Sequence, residues 1–212
     1  MSRIGVFGGT FDPVHFGHLR PALELKEALG LDEVRFIPCR VPPHRVQPLA
    51  PAEVRAEMVA RAIAGVPGFV LDRRELERNG PSYTVDTLEA LRRELPGSQF
   101  VLLMGADAFL GLPGWRGWER IPELAHIAVA HRPGWSLEEG PGLEKLAHGR
   151  LVAEPTALTE TPAGRIVLVE VTQLEVSATA LRAAAEAGKD IRFLLPEVVR
   201  EFIEETGCYR RS

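Results

Sequence analysis

The chain alternates short apolar segments with longer segments in which apolar residues recur at helical spacing. The short segments predict buried strands at residues 4–7, 33–37, 69–71, 100–104, 127–130 and 166–169. The longer segments predict helices at residues 17–29, 51–64, 84–95, 118–125 and 178–187, and Pro196 suits the first turn of a closing helix at 197–205. This alternation is typical of an α/β fold in which a parallel sheet carries helices on both faces.

The pattern shows no break that would divide the chain. Its 212 residues suit a single domain spanning residues 1–212, with a small C-terminal helical part from about residue 176 to residue 212. The stretch 133–164 is rich in Gly and Pro and lacks clear periodicity in places. We expect it to form surface insertions rather than a domain boundary.

Composition narrows the class of protein. The chain is 45% hydrophobic and 25% charged, as is ordinary for a globular protein, and its net charge of −4 argues against a general nucleic-acid binder. No apolar run approaches the roughly 20 residues that span a bilayer, and the N-terminus lacks a signal-peptide pattern. We therefore expect a cytoplasmic protein without a membrane partner. Cys39 and Cys208 form no metal-type pair, and a disulfide is not expected in that compartment.

The segment of residues 8–19 carries the first candidate chemistry. A Gly8-Gly9-Thr10 turn follows the first predicted strand and leads into the first predicted helix. Such a turn brings backbone N–H groups and the positive end of a helix dipole together, which makes an anion site. His15 and His18, three residues apart, lie on the same side of the first helical turn. Together these features predict a site for the phosphates of a nucleotide.

Two other phosphate-binding loops are missing from the sequence. There is no G-x-G-x-x-G after the first predicted strand, which disfavours a nicotinamide dehydrogenase. There is no G-x-x-x-x-G-K-[ST], which disfavours a P-loop kinase or GTPase. In open parallel sheets, ligands bind beyond the carboxyl ends of the strands where the strand order reverses, and the segment 8–19 leaves the first strand at such an end.

Several motifs resemble those of one family. His15-Phe16-Gly17-His18 resembles the HxGH signature of the nucleotidyltransferase α/β superfamily, and residues 177–182 resemble its second signature, Ser-x-Thr-x-x-Arg. The further motifs resemble the bacterial nicotinate-nucleotide adenylyltransferases, one branch of that superfamily, and are Pro42-Pro43-His44-Arg45, Ser82-Tyr83-Thr84, Gly105-Ala106-Asp107, Trp115 and His131-Arg132-Pro133-Gly134. The motifs occur in the family's order over nearly the whole chain. The resemblance implies a Rossmann-like α/β fold.

The same resemblance implies adenylyl transfer from ATP to nicotinate mononucleotide, with nicotinate adenine dinucleotide (deamido-NAD) and pyrophosphate as products. It implies that His15, His18 and Arg182 are catalytic. The residues implied for ATP binding are Gly8, Gly9, Thr10, Phe11, His15, His18, Gly105, Asp107, Ser177, Thr179 and Arg182. Those implied for nicotinate mononucleotide are His44, Arg45, Thr84, Trp115 and Arg132. Mg²⁺ is expected to enter on the ATP phosphates, no protein metal site is predicted, and the sequence leaves a homo-oligomer open.

Other interpretations of these residues stay open. The two histidines could form half of a metal site, and Ser177, Thr179 and Asp107 could act only as helix caps. The acceptor could be nicotinamide mononucleotide or phosphopantetheine, or the fold could serve as a nucleotide-sensing module without turnover. Family members often carry a small polar residue or asparagine where this chain has Cys39-Arg40, so a contact to the acceptor is expected to be absent or replaced by Arg40.

Overall fold

The computed structural model describes residues 2–43, 47–135 and 143–210. Within them the strands are β1 (Arg3–Gly9), β2 (Glu33–Pro38), β3 (Phe69–Leu71), β4 (Gln99–Gly105), β5 (His126–His131), β6 (Leu151–Val152) and β7 (Ile166–Glu170). The helices are α1 (Phe16–Ala28), α2 (Ala52–Ile63), α3 (Arg74–Glu77), α4 (Thr84–Glu94), α5 (Ala106–Leu110), α6 (Ile121–Leu124), α7 (Glu144–Ala147), α8 (Ala178–Glu186) and α9 (Glu197–Thr206). None of these helices is long and apolar enough to cross a membrane.

The strands form one parallel sheet in the order β3-β2-β1-β4-β5-β7-β6. From β1 the chain adds β2 and then β3 on one side. It then crosses back, and β4 pairs with the other side of β1 and is followed outward by β5, β7 and β6. This reversal of strand order opens a crevice beyond the carboxyl ends of β1 and β4. Gly8 and Gly9 of β1 and Gly105 of β4 lie at these two ends.

Two apolar layers cover the sheet, one on each face. On β4, Val101 and Leu103 belong to one layer, whereas Phe100, Leu102 and Met104 belong to the other, because successive side chains of a strand alternate between faces. Helices α1, α2, α8 and α9 complete the first layer, and α4 to α7 complete the second. The predicted α/β fold, with helices on both faces and a C-terminal helical segment made of α8 and α9, is confirmed.

The predicted helix at 118–125 divides into two parts. Trp118–Arg120 forms a 3₁₀ turn, and the regular helix α6 starts only at Ile121. Pro122 explains the division, because proline has no N–H to donate and is tolerated in the first turn of a helix. Helices α3, α5 and α7 were not predicted, since four or five residues are too few to show periodicity.

The stretch 133–164 is more than surface insertion, so that prediction was wrong in part. Its described residues contribute β6, which pairs with β7 at the edge of the sheet. They also bury Leu143 and Leu158 completely. A strand of two residues and single leucines among Gly and Pro show no periodicity, so the sequence pattern could not reveal them.

Candidate functional site

The turn after β1 lies beside the crevice between β1 and β4. Gly8 and Gly105, near the carboxyl ends of these strands, are exposed, and a Cβ atom built on either would meet nothing within 4 Å. The Cys39 N–H donates to the Gly9 carbonyl (3.0 Å), which fixes the turn to the end of β2. The crevice therefore offers open space beside backbone that is itself held in place.

His15 and His18 meet at the start of α1. His15 is the N-cap residue, His18 is the third residue of the helix, and their ring centroids lie 3.8 Å apart. The His15 N–H donates to His18 Nδ1 (3.3 Å). Because Nδ1 accepts, the proton of a neutral His18 ring is on Nε2. The start of the helix thus selects the tautomer in which His18 donates through Nε2.

The His15 ring is buried, with only 4% of the residue exposed. Its Nδ1 atom has no hydrogen-bond partner within the described ranges. Burial lowers the pKa of His15 to about 4, so the ring is neutral near pH 7. A buried ring nitrogen without a partner costs free energy, which a polar ligand atom at this position would recover.

Gly17 is required by the packing of the two motifs against each other. A Cβ atom at this position would lie 2.9 Å from His15 Nδ1 and 3.1 Å from the carbonyl oxygen of Val176. Val176 directly precedes Ser177, where the second motif begins. Glycine therefore lets the chain before α8 approach the start of α1 closely.

Helix α8 brings the second motif to the turn after β1. Ser177 caps the helix, since its Oγ accepts from the Ala180 N–H (3.1 Å). The guanidinium of Arg182 donates through Nη1 to the Asp12 carbonyl (2.7 Å) and through Nη2 to Thr179 Oγ1 (3.3 Å). Capping by Ser177 is compatible with phosphate binding, because both use the start of the helix. The phosphate-binding roles of these residues stay predictions.

Asp12, which we did not identify from the sequence as a site residue, joins three distant parts of the chain. Its Oδ1 accepts from the Tyr209 hydroxyl (2.6 Å) and the Ala50 N–H (3.1 Å), and its Oδ2 accepts from the Leu49 N–H (2.9 Å). Arg182 Nη1 lies 3.8 Å from Oδ2. An Asp-Pro step in sequence indicates only a turn, and no local pattern connects it to a tyrosine near the C-terminus. Burial, followed by the Asp12 carboxylate, raises the pKa of Tyr209.

The ring of Phe11 is not available to a ligand at the site. The side chain is buried in the apolar layer, 6.0 Å from Phe36 and 5.2 Å from His18 between ring centroids. A contact from Phe11 to ATP is therefore restricted to main-chain atoms. The anchored cluster is the name used below for Gly8, Gly9, Thr10, Phe11, Asp12, His15, His18, Ser177, Thr179 and Arg182.

Asp107 lies in the first turn of α5, at the other side of the crevice. Gly105 ends β4 and occupies the N-cap position of α5, so the interpretation of Asp107 as an N-cap residue is wrong. The side chain is exposed. Its carboxylate is available to accept from a sugar hydroxyl, and this ribose contact stays a prediction.

Thr84 and Trp115 lie on two segments whose adjacent residues, Tyr83 and Arg116, are in contact. Thr84 begins α4, and Trp115 follows the 3₁₀ turn Leu112–Gly114. The guanidinium carbon of Arg116 lies 4.6 Å from the centroid of the Tyr83 ring, which joins the residues adjacent to both. Trp115 is half-buried against the second apolar layer, so part of its indole is accessible.

Arg132 follows β5, and β5 reaches the crevice through the pairing of Ala130 with Gly105. Its side chain is exposed. His44 and Arg45 lie outside the described residues, so their contacts to an acceptor stay predictions. The loop cluster is the name used below for Thr84, Trp115 and Arg132.

Arg40 is engaged within the protein. Its Nη1 donates to the carbonyls of Leu76 and Arg78 (3.3 Å each) and to Asn79 Oδ1 (3.2 Å). Its backbone N–H donates to Ser82 Oγ (3.0 Å), which ties the loop after β2 to the residues before α4. The guanidinium therefore binds the segment at the end of α3, and a contact from Arg40 to an acceptor would require it to leave these partners.

The anchored cluster is a set of hydrogen-bond donors rather than a metal cage. Among the described residues, no group of three or more His, Cys, Asp or Glu side chains is arranged to hold a metal ion. The interpretation of His15 and His18 as half of a metal site thus finds no third ligand there. Imidazole N–H groups, a guanidinium and helix starts are instead the donors that suit phosphate.

Comparison with known proteins identifies the family of this chain. A family model described as cytidylyltransferase-like matches residues 6–184. A relative from Halorhodospira halophila is 49% identical over 99% of this chain and 96% of its own length, and its given name is probable nicotinate-nucleotide adenylyltransferase. A relative of the same name from Methylococcus capsulatus is 46% identical over 98% of this chain and 100% of its own length. Another, from Pseudomonas aeruginosa PAO1, is 49% identical over 98% of this chain and 97% of its own length.

Solved structures agree on the fold. The Plasmodium falciparum nicotinic acid mononucleotide adenylyltransferase complexed with NaAD superposes with a TM-score of 0.75 at 16% identity, covering 99% of this chain and 98% of that one. Its complex with APC gives a TM-score of 0.72. Matches to the family model and to relatives along almost their whole length place this chain in the cytidylyltransferase-like family, among its nicotinate-nucleotide adenylyltransferases.

Proposed function

We propose that the protein transfers the adenylyl group of ATP to nicotinate mononucleotide, which yields nicotinate adenine dinucleotide and pyrophosphate. The observation that carries this proposal is the convergence of His15, His18 and Arg182, from motifs near opposite ends of the chain, at the turn after β1. The relatives that match over nearly the whole chain bear the name of this enzyme.

The reaction requires the protein to position the two substrates and to stabilise charge, and it does not require a nucleophilic side chain. An oxygen of the acceptor phosphate attacks the α-phosphorus of ATP in line, and the bond from that phosphorus to the bridging oxygen breaks as pyrophosphate leaves. The protein must hold two anions together and stabilise the charge that builds on the leaving group. The His18 Nε2–H and the Arg182 guanidinium supply donors for that charge.

Mg²⁺ carried on ATP would neutralise part of the charge of the phosphates. The residues of the anchored cluster fit this arrangement, since His15, His18 and Arg182 are donors that would hold phosphate oxygens from the protein side. Asp12 already accepts from a tyrosine hydroxyl and two backbone N–H groups, so its oxygens are engaged. The metal would therefore be held through the nucleotide.

The loop cluster supplies the acceptor side of this proposal. The indole of Trp115 would stack on the pyridine ring, and N–H groups at the start of α4, near Thr84, would receive its carboxylate. Arg132 would add an anion contact, together with His44 and Arg45. A cytoplasmic location and a homo-oligomer stay predictions of the sequence.

The decisive experiment measures pyrophosphate release from ATP with nicotinate mononucleotide, nicotinamide mononucleotide and phosphopantetheine in parallel. We expect the fastest release with nicotinate mononucleotide. Faster release with another acceptor would correct the substrate and leave the reaction class intact. ATP binding in calorimetry without release from any acceptor would instead support a nucleotide-sensing module.

A further inference from the structure

Arg55 lies in α2 on the face that packs against the sheet, and it is only 1% exposed. It shares that face with Met58 and Val59, which are buried apolar residues at helical spacing. An arginine is almost never buried this completely without a paired charge. Its position on an apolar face is therefore a signal that the side chain has a specific task.

The guanidinium of Arg55 binds main-chain carbonyls from two segments, the turn after β1 and the connection between β2 and α2. Nη1 donates to Thr10 O (2.5 Å), Nη2 donates to Cys39 O (2.7 Å) and Arg40 O (3.2 Å), and Nε donates to Ala50 O (3.1 Å). Thr10 belongs to the turn after β1, and the next two carbonyls begin the loop after β2. One planar group thus connects the ends of two neighbouring strands at the edge where the site lies.

No carboxylate compensates the Arg55 charge within the described residues, where it forms no ion pair. The sulfur atom of Cys39 lies 4.0 Å from Arg55 Nη1. Burial raises the pKa of the Cys39 thiol, so it stays neutral and does not balance the cation. The side chain is therefore held by geometry, through donors that fit four carbonyls, rather than by a charge partner.

The contact with Thr10 also orients the phosphate-binding backbone. In a trans peptide, the carbonyl and the following N–H point in opposite directions. Because Arg55 holds the Thr10 carbonyl toward α2, the Phe11 N–H points the other way, and it donates to no acceptor in the described part of the chain. The adjoining contacts of the second loop continue through Arg40 and Ser82 to the start of α4, where Thr84 lies.

We infer that Arg55 is a positioning residue that sets the distance and orientation between the ATP-binding turn after β1 and the start of the loop after β2, which is tied through Arg40 and Ser82 to the acceptor side at Thr84. This inference rests on the proposed function. Each loop keeps its own ligand contacts without Arg55, but the two substrates lose their alignment. In-line attack depends on that alignment, and a misplacement of about 1 Å can reduce turnover by about 10²-fold.

The test replaces Arg55 by lysine, which keeps the positive charge but loses the planar fork. We expect Arg55→Lys to bind ATP with unchanged stoichiometry and to keep the affinity for each substrate within about threefold, while kcat falls by about 10- to 100-fold. Arg61→Lys is the matched control. It lies on the same helix and pairs with Glu57 at the surface (2.9 Å), so its kcat should equal that of the unaltered enzyme.

A kcat for Arg55→Lys within twofold of the unaltered enzyme would overturn the inference, as would a loss confined to KM. A fall in ATP-binding stoichiometry that accounts for the lower kcat would show a merely structural role and also overturn it. If the variant does not fold, a structure of the unaltered protein with a non-hydrolysable ATP analogue decides. Arg55 is expected to keep its contacts to Thr10 and Cys39 there, and release of either loop contradicts the inference.

Failure of the proposed function gives a different result. In that case the unaltered enzyme would bind ATP but release no pyrophosphate with nicotinate mononucleotide. The comparison of Arg55→Lys with Arg61→Lys would then use the acceptor that does support release.

Discussion

The anchored cluster and the loop cluster are held by different kinds of contact. In the anchored cluster, hydrogen bonds join residues 170 and 197 positions apart, from Arg182 and Tyr209 to Asp12. In the loop cluster, Thr84 begins α4, Trp115 follows a 3₁₀ turn of three residues, and Arg132 stands exposed after β5.

Under the proposed function, this difference matches what ATP and nicotinate mononucleotide would require. A triphosphate carries several charges, so the donors that meet it gain from being fixed before it binds. A mononucleotide with an aromatic ring is recognised by stacking and a few donors, which loops can supply. Changes in the anchored cluster should therefore reduce kcat or stability, and changes in the loop cluster should mainly reduce acceptor affinity.

The largest effect is expected for His18→Ala. Removing one donor to charge that builds in the transition state lowers kcat by roughly 10²- to 10³-fold. Steady-state kinetics with both substrates checks this, with His148→Ala, an exposed histidine after α7, as the control. A rise in KM at constant kcat would show that His18 binds ATP without assisting the chemical step, and the comparison between the clusters would lose its basis.

The second effect concerns stability at acid pH. The pKa of His15 is about 4 in the folded protein, below its ordinary value of about 6.5, so the unfolded chain binds more protons between these values. Stability is therefore full above pH 6.5 and falls as the pH drops toward 4, by about 3 kcal/mol from this group. Urea unfolding at pH 7 and pH 4.5 measures the loss.

His15→Gln should remove most of that pH dependence and keep a remainder. Burial also lowers the pKa of His126, the first residue of β5. Protonation of His126 in the unfolded chain therefore also lowers stability at acid pH and accounts for the remainder. An unchanged pH dependence in His15→Gln would mean that the acid sensitivity does not come from the anchored cluster.

The third effect is that of Tyr209→Phe, which removes a hydroxyl donor from the buried Asp12 carboxylate. The loss of one charge-assisted hydrogen bond should lower the free energy of unfolding by about 2 kcal/mol. Tyr83→Phe is the natural control, since these are the two tyrosines of the chain. Equal stability of the two variants would show that the C-terminus does not support the anchored cluster.

The smallest effect is expected in the loop cluster. Trp115→Ala should raise KM for nicotinate mononucleotide about fivefold, because one stacking contact contributes about 1 kcal/mol, and should leave KM for ATP unchanged. Trp118→Ala, in the neighbouring 3₁₀ turn, serves as the control for lost packing. If Trp115→Ala weakens ATP instead, the assignment of the loop cluster to the acceptor is wrong.

Local pattern was enough for much of the fold and for one part of the site. Strands β1 to β5 and β7 and the longer helices could be predicted because buried parallel strands are continuous apolar runs and amphipathic helices repeat every 3.6 residues. His15 and His18 could be paired because three residues along a helix bring side chains to one side. Arg182 could be placed beside them only through the family resemblance.

Asp12, Tyr209 and Arg55 could not be predicted in the same way. Each acts through partners from other parts of the chain: Asp12 meets Tyr209 across 197 residues, and Arg55 meets Thr10 across 45. No periodicity reports such contacts. The one local signal is an arginine on the apolar face of α2. It indicates that the side chain is buried, but it does not indicate which carbonyls the side chain binds.

The sequence by itself determined the α/β class, the glycine turn after β1 and the types of donor beside it, because strand pattern, glycine turns and histidine spacing are local properties. Only the tertiary structure decided how α8, the C-terminus and α2 converge on that turn. Long-range hydrogen bonds and close packing fix this arrangement, and they depend on the order of the strands in the folded sheet.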